Sequence, residues 1–285
     1  MARIIFSTCE KWPTISASDS IVASALSNLG HQVEAATWNG PFNKFLDADL
    51  VVLRSTWDYH YHIKDFNMWL DRLQTNGVSV QNSVSTVKWN LSKSYITDLA
   101  LNGIRTPDTV FVQTINDIES AFDKNGWKKA VVKPAHGASG HLVECISRED
   151  IPNWQLNVKE HGQHRPWIIQ EYLSDIEIAG ELSMVFINRI YSHAVLKTPQ
   201  PGEFRINGQY GGQSRRVEPK KSIIEKARHI LETLEEKPLY VRIDGVLQNG
   251  EAFCLLELEL IEPGLFYNLA PDKANMFAKA IEERL

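Results

Sequence analysis

The sequence predicts an α/β protein built from more than one lobe, and three observations support this prediction. Strand-like and helix-like segments alternate over residues 3–81, which is typical of a parallel α/β sheet. Later segments read as β-hairpins, one of them around an Asn-Gly pair, and hairpins indicate antiparallel sheets. The length of 285 residues exceeds that of one small domain. We therefore expect a parallel α/β lobe followed by lobes of the α+β type.

The first lobe follows from apolar segments separated by turn residues. Ser18 or Asp19 is expected to cap a helix that runs to about Leu29, with Gly30 as its stop. The turn after the first strand contains no glycine, so a dinucleotide-binding fingerprint is absent. The predicted elements are strands over 3–7, 33–37, 49–54 and 78–81, and a helix over 63–73.

The rest of the chain divides at Gly103 and Pro107, which break the pattern after a predicted helix over 90–101 that carries Lys93. The second lobe is predicted to contain strands 109–113, 130–133, 141–146 and 167–171 and a helix over 116–124. The third is predicted to contain a hairpin of 181–187 and 190–197, a polar loop over 198–217, a helix over 220–236 and a second hairpin. The expected domains are therefore 1–104, 105–173 and 174–285.

The second hairpin carries the candidate metal site. With Asn249 and Gly250 as a two-residue loop, Asp244 faces Leu255 and Arg242 faces Glu257. Alternation places four charged residues on one face: Arg242, Asp244, Glu257 and Glu259. The opposite, core face holds Val241, Ile243, Leu256, Leu258 and Leu260. Three close carboxylates repel unless a cation lies among them, and their hard oxygens favour Mg²⁺ or Mn²⁺. An ordinary half-solvated strand has the same alternation and is the alternative.

Composition excludes several classes of function. The net charge of −5 and the absence of a basic run longer than a pair argue against a nucleic-acid partner. No apolar run approaches the roughly 18 residues that a membrane span needs, so no membrane partner is expected. The N-terminus does not resemble a signal peptide, and three isolated cysteines suit a reducing compartment. The expected location is the cytoplasm.

Two further segments are candidates for binding phosphate and a purine. Lys133 ends a predicted strand before a small-residue loop that includes Gly137, Ser139 and Gly140, where backbone amides can approach phosphates. No Gly-Lys-Ser/Thr follows, so this is not a Walker A loop, and a plain turn is the alternative. Glu171, Tyr172 and Leu173 end an apolar strand that can present polar groups to a purine edge.

The polar loop brings Lys197 and Arg205 into one segment with Tyr210, Gly211 and Gly212. An arginine on a loop beside a metal is the group that phosphoryl transfer uses to stabilise transition-state charge. The alternative is an ordinary solvated loop.

In their order, these motifs resemble the ATP-grasp superfamily with a glutathione-synthetase-like ATP-binding fold, over roughly residues 90–265. The resemblance implies an N-terminal substrate lobe, a central lid lobe and a C-terminal catalytic lobe with an antiparallel sheet. It implies ATP binding by Lys93, Lys133, Gly137, Ser139, Gly140, Glu171, Tyr172, Leu173, Glu181 and Lys197, with Glu177 as the rival of Glu181 for the ribose. It further implies metal binding by Asp244, Glu257 and Glu259, two Mg²⁺ or Mn²⁺ ions, and catalytic roles for Arg205 and Arg242. Glu259 stands where the family's motif usually has Asn.

A narrower resemblance extends to the N-terminal lobe. The run Arg54-Ser55-Thr56-Trp57-Asp58-Tyr59 and the run from Glu257 to Pro263 are similar to the subgroup that includes the cycloserine-forming O-ureidoserine cyclo-ligase. The resemblance implies that Arg54 and Asp58 recognise an amino-acid-like substrate, with Trp57, Tyr59, Tyr210, Gly211 and Gly212 also in its site. A strand end with buried aromatic residues is the alternative for residues 54–59.

The resemblance implies a carboxylate–amine ligase that acts through an acyl phosphate on a small amino-acid-like or peptide-like substrate. Joining of two molecules and closure of a ring within one molecule are both consistent with it. A non-catalytic ATP-binding regulatory domain is the alternative from another functional class. Similar ligases are commonly homodimers, so a homodimer is among the oligomeric states expected.

Overall fold

The computed structural model describes residues 1–114, 116–161 and 166–285. Its strands are β1 (Arg3–Thr8), β2 (Gln32–Thr37), β3 (Leu50–Leu53), β4 (Val80–Gln81), β5 (Thr109–Val112), β6 (Lys129–Pro134), β7 (Glu144–Ser147), β8 (Trp167–Glu171), β9 (Glu181–Ile187), β10 (Ile190–Thr198), β11 (Gln213–Val217), β12 (Tyr240–Gln248) and β13 (Ala252–Glu259). Its helices are α1 (Ala17–Asn28), α2 (Asn43–Leu46), α3 (Ile63–Thr75), α4 (Val84–Asn90), α5 (Tyr95–Leu101), α6 (Asp117–Asn125), α7 (Ile151–His161), α8 (Asp175–Ala179), α9 (Lys221–Glu232) and α10 (Ala274–Glu282).

The N-terminal sheet is parallel, with strand order β2-β1-β3-β4, and its register confirms the predicted α/β lobe. Its two faces are covered by different helices. Val22 and Leu26 of α1 pack with Ile4 and Phe6 on one face. On the other face, α3 contributes Phe66, Trp69, Leu70 and Leu73, whose spacing places them on one side of the helix.

The first helix begins two residues earlier than the sequence predicts. Ser16 is the N-cap, and its hydroxyl accepts a hydrogen bond from the backbone amide of Asp19 at 3.1 Å. Ser18 and Asp19 are used elsewhere, since the Ser18 hydroxyl accepts from the Tyr267 amide and Asp19 binds Arg54. The predicted stop is confirmed: Gly30 follows the helix with φ +89°, a conformation that glycine adopts without strain.

The central sheet is antiparallel, with strand order β5-β8-β6-β7, and the C-terminal sheet is antiparallel with order β11-β10-β9-β12-β13. Helix α6 covers the central sheet through Ile118 and Phe122. Helix α9 covers the C-terminal sheet through an apolar stripe that includes Ile223, Ile230 and Leu231. The strands of the three sheets fall within residues 3–81, 109–171 and 181–259 respectively.

The predicted loop over 198–217 was wrong at its end, because β11 pairs there with the edge of β10. Four of its five residues are exposed, and Arg215 and Arg216 are among them. An exposed edge strand lacks the apolar alternation that predicts strands, so propensity alone did not identify it.

The predicted register of the second hairpin was also wrong. Gln248 pairs with Ala252, so the loop has three residues, and a bulge at Leu256 shifts the pairing by one further residue beyond it. Asp244 therefore lies directly opposite Glu257, and Arg242 lies opposite Glu259. The bulge also reverses the orientation of two neighbouring residues. Leu255 packs in the core, and Leu256, which the sequence predicted on the core face, lines a cavity described below.

Two buried asparagines connect the N-terminal lobe to the C-terminal sheet. The Asn82 amide donates to the carbonyl oxygens of Tyr240 at 2.9 Å and Leu260 at 2.7 Å. The Asn90 amide donates to the Leu258 carbonyl at 2.8 Å, and its oxygen accepts from the Leu260 amide at 2.9 Å. These bonds hold the end of β13 against the first lobe. In the described ranges, no helix combines the length and the apolar character that crossing a membrane requires.

Candidate active site

Three carboxylates meet on one face of the second hairpin. One oxygen from each of Asp244, Glu257 and Glu259 lies within 4.8 Å of the others, and the direct pairing of Asp244 with Glu257 brings them together. Arg242 bridges two of them, with Nη2 2.7 Å from Asp244 Oδ2 and 2.5 Å from Glu259 Oε1. An all-oxygen set of this kind fits a hard divalent cation such as Mg²⁺.

The pKa values of the three carboxylates are shifted in different directions. Burial raises the pKa of Asp244, but the opposing charges of Arg242 and Lys197 outweigh it, so the net pKa is lowered. The pKa of Glu257 is lowered in the same way by Lys93 and Lys133, against the effect of burial. For Glu259, burial dominates the attraction of Arg242, and its pKa is raised. Asp244 and Glu257 are thus held ionised.

Two predicted phosphate-binding lysines meet at Glu257. Lys93 Nζ lies 2.6 Å and Lys133 Nζ 3.4 Å from Glu257 Oε1. The helix predicted over 90–101 was wrong at this point, because Lys93 lies in the turn between α4 and α5, where its amide donates to the Ala135 carbonyl at 2.8 Å. The turn therefore places Lys93 beside the start of the small-residue loop.

A third lysine, Lys197 on β10, lies between two acids. Its Nζ is 2.5 Å from Glu181 Oε1 and 3.6 Å from Asp244 Oδ2. Burial raises the pKa of Glu181 even though Lys197 opposes the shift. Glu181 lines the larger cavity with these lysines, whereas its rival Glu177 is not among the lining residues and accepts a hydrogen bond from the Tyr172 hydroxyl.

A larger cavity lies between the central and C-terminal sheets and contains about 1030 Å³ of empty space, part of which is open to solvent. It brings together predicted ATP-binding residues from six segments: Lys93, Lys133, Gly137, Ser139, Gly140, Glu171, Tyr172, Leu173, Glu181 and Lys197. Apolar walls from Val131, Ile176 and Leu256 stand beside the hinge segment Glu171–Leu173. A cavity that combines apolar walls, polar groups and three lysines suits a nucleotide.

The loop that follows β10 lies over the small-residue loop. The Gln209 amide donates to the Ser139 carbonyl at 2.8 Å, and the Tyr210 hydroxyl donates to the Gly140 carbonyl at 3.4 Å. Arg205 stacks on the Tyr210 ring at 3.8 Å. Its guanidinium lines the larger cavity but is paired with Glu203, with Nη2 2.7 Å from Oε2. This pairing lowers the pKa of Glu203 to about 2.

Tyr210, Gly211 and Gly212, predicted to bind substrate, are not among the residues that line either cavity. Tyr210 joins the two loops, as described. Gly212 packs against the backbone of Ile206, where a Cβ atom would lie 2.0 Å from the Ile206 carbonyl oxygen. These residues therefore shape the loop in this conformation and do not face the cavities.

A smaller cavity of about 710 Å³ adjoins the larger one across the carboxylates. Both cavities are lined by Lys93, Gly137, Ala138, Ser139, Asn207, Arg242, Glu257 and Glu259. Only the smaller one is lined by Trp57, Tyr59, Asn90, Leu91, Tyr95, Leu258, Ile261, Glu262 and Gly264. Glu257 and Glu259 of the candidate metal site thus lie on the wall between the two cavities, and the smaller cavity holds two of the predicted substrate residues, Trp57 and Tyr59.

The other two predicted residues of that segment, Arg54 and Asp58, line neither cavity. Arg54 is 2 % exposed, and its Nε lies 3.0 Å from Asp19 Oδ1. Its Nη2 donates to the Pro263 carbonyl at 2.8 Å. Asp58 accepts from the Trp38 indole at 2.7 Å. Neither residue lines a cavity in this structure, because α1 and the segment after β13 cover this end of β3, and substrate contact by Arg54 and Asp58 stays a prediction.

Sequence reasoning gave no role to three residues that line the smaller cavity. Glu262 is 7 % exposed, and burial together with the charge of Glu259 raises the pKa of its carboxyl to about 8. Tyr95 supplies a hydroxyl that accepts from the Leu258 amide at 3.0 Å, and Asn207 lines both cavities. The spacing of Glu262 three residues after Glu259 was a signal that could have identified it.

Comparison with known proteins identifies two family models along the chain. The model described as the ATP-grasp domain of prokaryotic glutathione synthetase matches residues 76–268. The model described as the N-terminal domain of D-cycloserine synthetase DcsG matches residues 4–82.

Individual relatives match over almost the whole chain. The cycloserine biosynthesis protein DcsG of Streptomyces lavendulae is 25% identical over 276 residues, which cover 92% of this chain and 91% of that protein. A crystal structure of D-cycloserine synthetase DcsG superposes with a TM-score of 0.87 at 22% identity, covering 99% of each chain. The ATP-grasp ligase PsnB, solved with a minimal precursor, Mg and ADP, has a TM-score of 0.66 at 13% identity and covers 99% of this chain and 96% of its own.

Proposed function

This chain belongs to the ATP-grasp ligases, in the family of the prokaryotic glutathione synthetase ATP-grasp domain, and from that membership we propose its reaction. It uses ATP and Mg²⁺ to activate a carboxylate of a small amino-acid-like or peptide-like substrate and transfers the acyl group to a nitrogen. The cluster of Asp244, Glu257 and Glu259 carries this proposal, because Asp244 lines the larger cavity and the two glutamates line both cavities. One cavity suits a nucleotide and the other suits the substrate.

ATP is proposed to occupy the larger cavity. The adenine would lie against the apolar walls beside Glu171–Leu173, and Glu181 would accept hydrogen bonds from the ribose. Lys93, Lys133 and Lys197 would neutralise the phosphates, and the backbone amides of residues 137–140 would approach them. All three lysines already pair with carboxylates of the site, so their charges are oriented toward its centre.

The divalent cation is proposed to bind Asp244, Glu257 and Glu259, whose close oxygens fit it. When bound, it would shield the β- and γ-phosphates and make the γ-phosphorus a better electrophile. Arg242 orients two of the carboxylates through its hydrogen bonds. Its Nη1 also donates to the Gly264 carbonyl at 3.1 Å, which holds the guanidinium at the wall of both cavities.

The reaction is proposed to run in two steps. A carboxylate oxygen of the substrate attacks the γ-phosphorus and ADP leaves, which forms an acyl phosphate. A nitrogen then attacks the acyl carbon and loses a proton, and inorganic phosphate leaves with the electron pair of the broken C–O bond. The products are an amide-type bond, ADP and phosphate. The protein forms no covalent bond, so its contribution is orientation and electrostatic stabilisation by Arg242 and Arg205.

Water must be excluded, because it would hydrolyse the acyl phosphate. The loop that carries Arg205 lies on the small-residue loop through Gln209 and Tyr210. We propose that these two loops close together over the nucleotide. In that movement Arg205 exchanges Glu203 for the transferring phosphoryl group.

Two forms of the chemistry remain within this proposal: joining of two molecules and closure of a ring within one. The similarity to a cycloserine synthetase, over 92% of this chain, favours ring closure. A product mass equal to two substrates minus water indicates joining. A product mass equal to one substrate minus water indicates ring closure.

The proposed partner is therefore a small molecule, and the reaction requires neither a nucleic acid nor a membrane. We propose the cytoplasm as the location, where ATP and Mg²⁺ are both supplied. A homodimer is proposed as the oligomeric state, which light scattering at several concentrations tests independently of activity.

The deciding experiment measures phosphate release from ATP with Mg²⁺ over a panel of amino acids, dipeptides and O-substituted serines, with product masses recorded in parallel. Release that depends on one substrate class supports the ligase. Tight Mg²⁺-dependent ATP binding without release over the whole panel supports a non-catalytic ATP-binding regulatory domain instead. Failure to bind ATP would contradict the proposal as a whole.

A further inference from the structure

Among the residues that the structure describes, Glu262 is the one charged residue that lines the smaller cavity and not the larger one. It follows the end of β13 by three residues, and its side chain is almost completely buried. In the part of the chain that the structure describes, its carboxylate forms no ion pair and no hydrogen bond with another side chain. Among the described residues, no cation is therefore in direct contact with this carboxylate, although Lys93 and Arg242 line the same cavity.

The other acids of the site are different in this respect. Asp244 and Glu259 pair with Arg242, Glu257 pairs with Lys93, and Glu181 pairs with Lys197. A buried carboxylate without a direct partner loses hydration, and for Glu262 the charges of Lys93 and Arg242 offset only part of that loss. The raised pKa of Glu262 reflects that loss. A cation that arrives with the substrate would supply the missing interaction.

The walls beside Glu262 also suit a cation. Trp57 and Tyr59 line the same cavity, and the faces of their rings attract ammonium groups. The Trp57 indole is fixed, because its Nε1 donates to the Glu262 carbonyl oxygen at 3.1 Å and its ring meets Trp12 edge-on at 5.3 Å. The aromatic wall and the carboxylate are thus held together.

We propose that Glu262 binds the protonated amino group of the substrate, so that the smaller cavity takes a zwitterion of the α-amino-acid class. The inference rests on the proposed function, which places the reacting carboxylate at the other end of the cavity. There the cations Lys93 and Arg242, together with the candidate metal ligands Glu257 and Glu259, form the wall that the smaller cavity shares with the proposed nucleotide cavity. An α-amino acid can match this arrangement, with its carboxylate directed toward the metal site and its ammonium group directed toward Glu262.

The test compares amino acids with their des-amino counterparts. Wild-type protein and Glu262→Gln, each with Mg²⁺ and a non-hydrolysable ATP analogue, are titrated calorimetrically with D- and L-amino acids, including O-substituted serines, and with the matching des-amino acids. We expect the des-amino acid to bind wild type at least about tenfold more weakly. We expect Glu262→Gln to weaken the amino acid by a similar factor, with the des-amino acid and the ATP analogue unaffected.

Two further variants control the comparison. Glu262→Asp keeps the charge and should retain part of the preference for the amine. Glu251→Gln removes a carboxylate from the exposed hairpin loop and should bind every ligand as wild type does. Melting temperatures measured for all variants show whether each has folded.

Three results would overturn the inference. One is an equal loss of affinity for the amino acid and its des-amino counterpart in Glu262→Gln. Another is an unchanged affinity with a lower kcat, which would make Glu262 a base for the attacking nitrogen. The third is ATP turnover with amine-free acids alone, which leaves the ligase proposal intact. If wild-type protein did not bind the ATP analogue at all, that result would instead refute the proposed function itself.

Discussion

Lys93 Nζ lies 2.6 Å from Glu257 Oε1. A lysine proposed to bind a nucleotide phosphate is therefore ion-paired with a carboxylate proposed to bind the metal. Lys133 approaches the same oxygen at 3.4 Å. Burial lowers the pKa of Lys93, yet the Glu257 charge outweighs it and the net pKa is raised. Without nucleotide, the two lysines therefore compete with a divalent cation for Glu257.

Metal and nucleotide are consequently expected to bind with positive cooperativity, because phosphates draw the lysines away from Glu257. Mn²⁺ affinity, measured by electron paramagnetic resonance, should be at least about fivefold tighter with ADP than without it. Lys93→Met should tighten Mn²⁺ binding to the free protein and weaken ADP binding. Lys64→Met, at an exposed position on α3, is the control. Equal Mn²⁺ affinity with and without ADP would contradict this coupling.

Glu257→Gln should abolish turnover while the protein remains folded. The substitution keeps the volume of the side chain and removes the charge opposite Asp244, so we expect phosphate release to fall at least about a hundredfold. Steady-state phosphate release and circular dichroism measure the two effects. Glu251→Gln serves as the matched surface variant. Activity close to wild type would refute the assignment of Glu257 to the metal.

Arg205 is expected to act on the transition state more than on ATP binding, because it is paired with Glu203 when no nucleotide is present. Arg205→Met should lower kcat by about a hundredfold and change the KM for ATP much less. Arg215→Met, on the exposed strand β11, is the control. A rise in KM at unchanged kcat would place Arg205 in ground-state binding instead.

Arg54 should contribute to stability and not to substrate recognition. Arg54→Met leaves Asp19 buried without its cation, and losses of about 3–5 kcal/mol are typical of such broken pairs. Urea unfolding should show this loss, and the double variant with Asp19→Asn should recover part of it. An Arg54→Met protein of wild-type stability that has lost substrate affinity would restore the assignment made from sequence.

The Glu262 carboxyl should make the free protein less stable as pH rises. Its pKa is raised by burial from 4.5 to about 8, so the folded state favours the protonated form. The resulting stability is fully present below the unfolded pKa and is lost as pH rises through the folded pKa. The free energy of unfolding of Glu262→Gln should therefore rise relative to that of wild type as pH increases from 5 to 8. The upper limit of this gain is about 1.4 kcal/mol for each unit by which the pKa is shifted. A pH-independent difference in urea unfolding would contradict this.

Local patterns were sufficient for most of the fold. Strict alternation along β12 and β13 identified Arg242, Asp244, Glu257 and Glu259 as one charged face, and all four meet there. The φ values of Asn249 and Gly250, 52° and 75°, are those that an Asn-Gly turn adopts. Such features depend on neighbours in sequence, so the sequence alone determined them.

The register of that hairpin depended on packing instead. Gly245 leaves room for the Phe253 ring, since a Cβ atom would lie 2.3 Å from its Cζ, and the bulge at Leu256 forms beside it. That bulge places Asp244 opposite Glu257 and turns Leu256 toward the larger cavity. A bulge has no strong sequence pattern, because it arises from the fit of side chains across strands.

The sequence by itself determined the α/β class, the three-sheet order and the residue types of the nucleotide and metal sites. Only the tertiary structure decided which charged residues are buried in pairs and which face a cavity. Arg54 and Glu262 both lie in motifs that the sequence indicates as functional, yet Arg54 binds Asp19, and Glu262 has no ion pair with any described residue. The physical reason is that a charge's role depends on its partners and its hydration, and both come from segments distant in sequence.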